Sequence, residues 1–432
     1  MFDRQDPPEH APSYYVATAH EMPSFPTLDE DIRCDVCVIG GGFTGLSAAL
    51  HLAEAGYDVV LIEGRRVGWG ASGRNGGQLG YGQRKAQDDL EDEVGKTHAR
   101  QLWDLFLEAR QLVRDRIAKH NIPCDLRDGS MGVAHKRSYV DYYKGYVEKL
   151  QREYNAETIH FLDRDEACEK SGSDVFYGGM IDTDGGHIHP LNYALGLARA
   201  ARDAGVRIYE NTLATGYKAG PPATTRTARG NVTSDFVILG CNGYLGKLEG
   251  KAAGKIMPIN NYVIATEPLD EHVAKALIPG DESVADTRFV VNYWRRSADN
   301  RLLFGGGESY SSHFPADIGS FVKPHMVAIY PHLKDVKIDY AWGGTLAITM
   351  NRMPHFARLA PNVFTAQGYS GHGVVLTSLA GKLMAEAVAG TAERFDVFAR
   401  VKTPTFPGGT LLRWPGLVAG MLYYSLRDRI GK

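Results

Sequence analysis

The residues best placed to do chemistry begin with one short run, Gly40-Gly41-Gly42-Phe43-Thr44-Gly45. The G-x-G-x-x-G spacing puts glycine where a turn is tightest, where backbone must approach a pyrophosphate, and where a helix packs on a strand. Amides at the N-terminus of the helix that follows then face an anion. An apolar stretch at 34–39 precedes the run. After it, Leu46, Ala49, Leu50 and Ala53 share a helical face, Gly56 stops the helix, and a second apolar stretch ends at Glu63. Glu63 stands at about the 20-residue offset expected of a carboxylate that hydrogen-bonds ribose hydroxyls. Residues 35–63 therefore predict a strand, glycine turn, helix and strand that hold the ADP half of a dinucleotide.

A second run, Gly68-Trp69-Gly70-Ala71-Ser72-Gly73-Arg74-Asn75-Gly76-Gly77, separates FAD from NAD. An NAD dehydrogenase would move straight into further βαβ units. Here a glycine-rich stretch would instead let a long, extended cofactor lie against backbone, with Arg74 and Asn75 toward its polar edge. The third run is Gln367-Gly368-Tyr369-Ser370-Gly371-His372-Gly373, between a strand and a helix. A helix N-terminus is an anion site, and the anion that matters to a flavoenzyme is the reduced ring, charged at N1 and O2. Amides of Gly371 to Val374 could meet that charge, with His372 beside them.

Further candidates are less specific. Tyr293, Trp294 and Glu308 lie on strands flanking the Gly305–Gly307 turn, an aromatic pair beside a carboxylate that could wall a pocket. His187 and His189 alternate on an extended segment with no third ligand at hand, so they read as structural or pocket-lining rather than metal-binding. Cys34 and Cys37 form a C-x-x-C, but on a strand side chains three apart point to opposite faces, which argues for packing. The apolar tail at 411–426 is too short to span a bilayer and reads as packing against the core.

These elements need a large frame, and 432 residues with 44% hydrophobic content supply one. Helical spacing recurs at about 85–120, 138–153 and 191–204. Short strands fall at 206–209, 213–217 and 234–240, the last leaving a hairpin tipped by Arg229-Gly230. Alternating strands with one helix near 321–330 run from 256 to about 347, and a final strand at 363–366 leads to a helix at 375–388. The expected architecture is α/β with α+β insertions: a Rossmann-like FAD-binding domain (30–84, 174–255 and 355–432) interleaved with a mixed-sheet substrate domain (85–173 and 256–354). A formal charge of −3 gives no footprint for nucleic acid. No stretch reaches the roughly 18–20 apolar residues of a membrane span, and no signal peptide is visible. Five scattered cysteines argue for a reducing, cytoplasmic setting.

The segments 35–63, 71–78, 185–190, 298–303 and 367–373 together resemble the D-amino-acid oxidase and monomeric sarcosine oxidase superfamily of FAD enzymes, on the branch that oxidises polyamine-derived amines. The resemblance covers almost the whole chain. It implies hydride loss from the carbon next to a primary amine to flavin N5, hydrolysis of the imine to aldehyde and ammonia, and reoxidation by oxygen or another acceptor. The candidate cofactor contacts are then Gly40, Gly42, Phe43, Thr44, Gly45, Glu63, Gly64, Arg65, Ala71, Ser72, Arg74, Asn75, Gly76, Gly77, Gln78, Leu213, Gly240, Gly368, Gly371, His372, Gly373 and Val374. The candidate catalytic residues are His372, Tyr293, Trp294 and Glu308, with no metal. Where sarcosine oxidases carry a carboxylate-binding lysine this chain has Val375, which implies an amine without an α-carboxylate. Leu303 falls near a lysine that promotes reaction with oxygen, which puts efficient oxidase activity in question. Leu346 falls near the cysteine of covalent flavin, and no histidine stands near the 72–77 turn, so the resemblance implies noncovalent FAD. The rival readings are an amino-acid or N-methylamino-acid oxidase, and a flavin-binding subunit or redox sensor.

Overall fold

The computed structural model describes residues 9–309, 313–413 and 415, apart from the side chains of 308 and 309. The glycine run folds as its spacing predicts. The strand Ile32–Ile39 leads into the helix Phe43–Glu54, and the strand Val59–Ile62 follows. Ile32–Ile39 is flanked in parallel by Val59–Ile62 and Asn231–Leu239. Both its faces are covered, which is why 36–39 carries only apolar side chains. Val36 and Val38 enter one buried cluster, Cys37 and Ile39 another.

Cys34 joins the cluster of Cys37, where simple alternation placed it on the opposite face. The amides of Asp35 and Val36 both donate to the Asp58 carbonyl, at 2.9 and 3.1 Å. That extra residue resets the alternation, as a bulge does. Burial raises both thiols, Cys37 to about 12, so the pair packs the strand and has no reactive thiolate.

The first sheet runs His355–Ala360, Val363–Gln367, Asn231–Leu239, Ile32–Ile39, Val59–Ile62, Arg207–Tyr209. The hairpin partner Ala223–Arg226 flanks Asn231–Leu239 across the expected Arg229-Gly230 tip. The strand expected from 213 is confined to Gly216–Lys218, because Thr212 is drawn to Glu63: its amide donates to the Glu63 carbonyl at 2.8 Å. The helices Phe43–Glu54, Lys96–Lys119, Pro190–Asp203 and Gly373–Val388 cover one face and share its largest apolar cluster.

The second sheet is mainly antiparallel: Ile338–Ile348, Met257–Thr266, Leu302–Ser309, Tyr293–Arg296, Ser283–Asp286, Arg127–Val133, Gly179–His187, Gln78–Leu79, with Ile159–Leu162 also paired to Gly179–His187. Gly179–His187 and Gln78–Leu79, grouped by sequence with the nucleotide domain, are strands of this sheet. Two helices, Glu271–Leu277 and Ile318–Ile329, lie between 256 and 347 where one was expected. The first begins on the Asp270 side chain, which accepts from the His272 amide at 2.8 Å.

The sheets are joined through the glycine-rich segment. The Arg295 guanidinium donates to the Gly76 carbonyl at 2.8 Å and the Ile188 carbonyl at 3.1 Å. Trp342 Nε1 donates to the Arg74 carbonyl at 3.0 Å. An N-terminal strap crosses the same junction: the Tyr14 hydroxyl donates to Asp299 at 2.8 Å, and Thr18 meets His189 at 3.1 Å.

His187 and His189 are structural. His189 caps the helix Pro190–Asp203, its Nδ1 accepting from the Asn192 amide at 3.1 Å, and this requires an unprotonated nitrogen. Burial first, then the Arg295 charge, pushes His189 down to about 3 and His187 well below the usual range. An unfolded histidine titrates near 6.5. Below that pH the unfolded chain takes up protons that the folded protein refuses. Stability is therefore full above about pH 6.5 and falls as pH drops, by up to about 1.4 kcal/mol per pH unit for each ring. Urea unfolding should give a lower midpoint at pH 5.5 than at pH 7.5. His189→Asn, which keeps a capping acceptor without titrating, should shrink that difference.

Candidate flavin and substrate site

The ADP cradle is built from close approaches that leave no room for side chains. A β-carbon on Gly45 would stand 1.9 Å from the Gly40 carbonyl oxygen, and one on Gly42 would stand 2.9 Å from Ser72 Oγ. Gly40, at φ +112°, lies against Gly240, whose carbonyl oxygen would be 2.9 Å from any added β-carbon. Gly42 caps the helix with no side chain of its own, and the Phe43 amide donates to Ser72 Oγ at 2.9 Å. Thr44 is buried and its hydroxyl meets the Tyr369 hydroxyl at 2.8 Å, tying this turn to the one before His372.

Glu63 ends its strand as expected. One oxygen accepts from the Gly41 amide at 2.6 Å and the other from the Arg65 amide at 2.8 Å. A carboxylate has about four lone-pair sites, so both oxygens keep capacity for ribose hydroxyls. Burial raises the Glu63 pKa and the two amides oppose that shift. Leu213 is exposed on the rim, and a β-carbon on Gly64 would touch its side chain at 3.0 Å. Behind this edge stands Glu210, a residue sequence reasoning missed. It is 2% exposed, and accepts from the Val67 amide at 2.7 Å and from the Phe25 amide at 3.3 Å while pairing with Arg66 at 2.8 Å. Its position just after the strand Arg207–Tyr209, parallel to Val59–Ile62, mirrors that of Glu63. That shared position is the signal that could have found it.

Ala71 and Ser72 open a short 3-10 turn, Ala71–Gly73. Asn75 holds this turn from within: its Nδ2 donates to the Ala71 and Ser72 carbonyls, both at 2.9 Å, and its Oδ1 accepts from the Gly77 amide at 2.8 Å. Arg74 is buried over the Trp69 ring and donates to the Trp69 and Gly343 carbonyls at 2.7 and 3.3 Å. These polar groups hold the shape of the segment, because the bent backbone leaves carbonyls that need donors. Gln78 pairs with His187 in the second sheet and donates to the Val284 carbonyl at 2.9 Å.

The candidate catalytic residues separate. Tyr293 lies at the junction of the two sheets: β-carbons on Gly76 and Gly305 would stand 2.6 and 2.0 Å from its ring, and its hydroxyl donates to Asn261 at 2.5 Å. Trp294, one residue on, points to the other face. It is 1% exposed, stacks on Phe176 and Phe304, and donates to the Tyr330 hydroxyl at 2.9 Å. Trp294 is core and not part of a substrate wall, since strand alternation sends neighbours to opposite faces. Glu308 pairs in register with Asn261, and its side chain lies outside the described residues, as does most of the 411–426 tail.

The third run forms a tight turn into the helix Gly373–Val388, with φ +74° at Gly368, +52° at Ser370 and +93° at Gly371. The Gly368 amide donates to Asn242 at 2.8 Å. Nothing lies within 4 Å of a β-carbon placed on Gly371. His372 occupies the N-cap position without a side-chain cap, so the Gly373 and Val374 amides begin the helix beside it. Burial and the charge of Arg84 push His372 down to about 3. The ring is neutral, so anion binding at this turn rests on backbone amides and the helix dipole rather than on an imidazolium. Val375 is buried in the apolar cluster.

The family described as FAD dependent oxidoreductase (DAO) matches residues 35–387, the span that carries the cradle, the glycine-rich segment and the His372 turn. The chain belongs to this family of FAD-dependent oxidoreductases. It is 46% identical over 424 residues to gamma-glutamylputrescine oxidoreductase of Escherichia coli (strain K12), covering 98% of this chain and 99% of the relative. It is 42% identical to a probable oxidoreductase, OrdL, of Rhizobium meliloti (strain 1021), again over 98% and 99%. Among solved structures, glycine oxidase from Geobacillus kaustophilus matches with TM-score 0.71 and 20% identity, over 83% of this chain and 95% of that one. At that identity the likeness is one of fold. Among the described residues no cluster of three or more His, Cys, Asp or Glu could hold a metal, and no helix is long and apolar enough to cross a membrane.

Glu63→Ala removes the acceptor of two backbone amides and the carboxylate expected to meet the ribose. FAD should dissociate about 10- to 100-fold more readily, measured by release of flavin fluorescence on dilution. Gly45→Ala, with its methyl against the Gly40 carbonyl oxygen, should yield protein without flavin and with a lower melting temperature.

Proposed function

We infer that the protein oxidises the terminal primary amine of gamma-glutamylputrescine, or of a related polyamine, to an aldehyde with release of ammonia. With oxygen as acceptor, hydrogen peroxide is formed. The observation that carries this reading is the near-full-length identity to the Escherichia coli relative. It is supported at the site by Val375, buried and uncharged, one helical step into the turn where an α-carboxylate clamp would stand.

FAD, when bound noncovalently along the cradle, supplies the hydride acceptor. The chain's own residues do the rest. The Gly42 and Thr44 amides at the start of the helix and the Glu63 carboxylate hold the ADP half, with the Gly41 amide fixing Glu63 and the Phe43 amide fixing Ser72. Tyr293, fixed between Gly76 and Gly305, walls the space over the glycine-rich segment. The turn at 371–374 presents amides where negative charge develops. Enclosing the amine among these groups orients its α-carbon and keeps water from it until release. The five cysteines are free thiols, buried or half-buried, and Leu346 falls near the position of the flavin-linking cysteine of sarcosine oxidases. That supports a noncovalent cofactor.

The test is steady-state turnover with gamma-glutamylputrescine, putrescine, spermidine, sarcosine and D-alanine, followed both by oxygen uptake and with a dye acceptor. Turnover should be highest with gamma-glutamylputrescine, and activity confined to sarcosine and D-alanine would sink the reading. Trichloroacetic acid should leave the yellow colour in the supernatant. Colour in the pellet would show a covalent link.

A further inference from the structure

The segment 298–303, one of the five that carry the resemblance, has no part in the cradle. It receives the N-terminal strap. Ser13 caps a single helical turn, Tyr14–Ala17, and the chain from Thr18 to Asp31 then reaches the first strand without further helix or strand. One helical turn is too short to hold itself in water. The backbone bonds inside this stretch are those of Val16, Ala17 and Thr18 to the Ser13 and Tyr14 carbonyls. Its other bonds go to the body of the protein, on both sides of the junction between the sheets.

Toward the second sheet, the Tyr14 hydroxyl donates to Asp299 at 2.8 Å, and Ser297 and Arg301 hold the same carboxylate. Tyr15 is fully buried. Its ring stands edge-on to Trp342, 5.1 Å between centroids, and Arg295 donates to its hydroxyl at 3.4 Å. Trp342 and Arg295 are the donors to the Arg74 and Gly76 carbonyls. Toward the first sheet, His189 Nε2 donates to the Thr18 hydroxyl at 3.1 Å, because its Nδ1 is taken as the helix cap. The Phe25 amide donates to Glu210 at 3.3 Å, the Leu28 amide to Thr212 Oγ1 at 3.1 Å, and Arg66 to the Pro23 carbonyl at 3.1 Å. Trp69, beneath the Arg74 guanidinium, donates from Nε1 to the Glu9 carbonyl at 2.8 Å. The strap thus bears on the glycine-rich segment directly at Trp69, and through Trp342 and Arg295 at Arg74 and Gly76.

A stretch with so few bonds of its own is ordered only while both sheets hold the spacing it bridges. A cofactor lying along the glycine-rich segment fixes that same spacing, so each ordering lowers the cost of the other. We propose that residues 9–28 form a cofactor clasp, in which docking of the strap across the two sheets and binding of FAD stabilise one another. This rests on the noncovalent cofactor inferred above and not on the substrate.

The test uses the full-length holoenzyme and the same chain stripped of flavin. Exchange of the Val16, Ala17, Thr18 and His20 amides should be at least about 10-fold slower with FAD bound, referred to the amides of the strand Met257–Thr266. The double variant Tyr14→Phe, Thr18→Val removes one bond to each side and nearly preserves volume. Its holoenzyme should release flavin on dilution about 10-fold faster than wild type. A strap that serves stability alone would lower the melting temperature and leave flavin release unchanged. A release rate within about twofold of wild type therefore overturns the clasp, whatever the melting temperature. Strap exchange that is the same with and without FAD overturns it too. Flavin that stays with the wild-type chain through denaturation would overturn the noncovalent reading and this inference with it.

Discussion

No side chain can stand at Gly45. With 1.9 Å between a β-carbon there and the Gly40 carbonyl oxygen, the helix Phe43–Glu54 can begin against its strand only because position 45 is glycine. Everything that holds the nucleotide follows from that contact. It sets the first helical turn beside the end of Val59–Ile62, so that the Glu63 carboxylate reaches the Gly41 amide. It brings Ser72 within hydrogen-bond distance of the Phe43 amide, and so draws the glycine-rich segment across the cradle.

The same economy of side chains governs the junction of the two sheets. Gly76 and Gly305 admit the Tyr293 ring between them, and Gly343 accepts the Arg74 guanidinium. Arg295 then fastens the Gly76 and Ile188 carbonyls to the second sheet. A segment that lacks side chains cannot pack on its own account, so its carbonyls are claimed by long donors from both sides. The glycines permit the path, and the arginines and Trp342 choose it.

Much of this was legible in the sequence. The βαβ opening, the helix Val140–Tyr154, the Arg229-Gly230 hairpin and the helix after the His372 turn announce themselves through period and punctuation, whereas the stretch read as one helix over 85–120 is two, Gln87–Val94 and Lys96–Lys119, parted at Gly95 where φ is +81°. What stayed hidden depends on pairing at a distance. Trp294 looked like a wall residue because composition cannot tell which face of a strand meets the core. The bonds of Arg74 and Asn75 to the backbone around them stayed hidden because turn carbonyls that need donors leave no mark in sequence. Gly179–His187 joined the other sheet because its partner, Arg127–Val133, lies about 50 residues upstream in the chain. A bulge at Asp35 reversed the facing of Cys34, and Glu210 acquired its role only once its strand lay beside that of Glu63.

The pairing of Glu63 with Glu210 has a consequence for which nucleotides the cradle can accept. Both carboxylates end neighbouring parallel strands, and the charge of Glu210 acts on Glu63. Their orientation is already held by backbone amides and Arg66, so binding does not have to assemble them. A ribose with free hydroxyls finds acceptors in place. A ribose bearing a 2′-phosphate would instead bring up to two further negative charges against a buried acidic edge, with Arg66 already engaged. An acidic edge held this way favours a ribose with free hydroxyls over one that carries a phosphate.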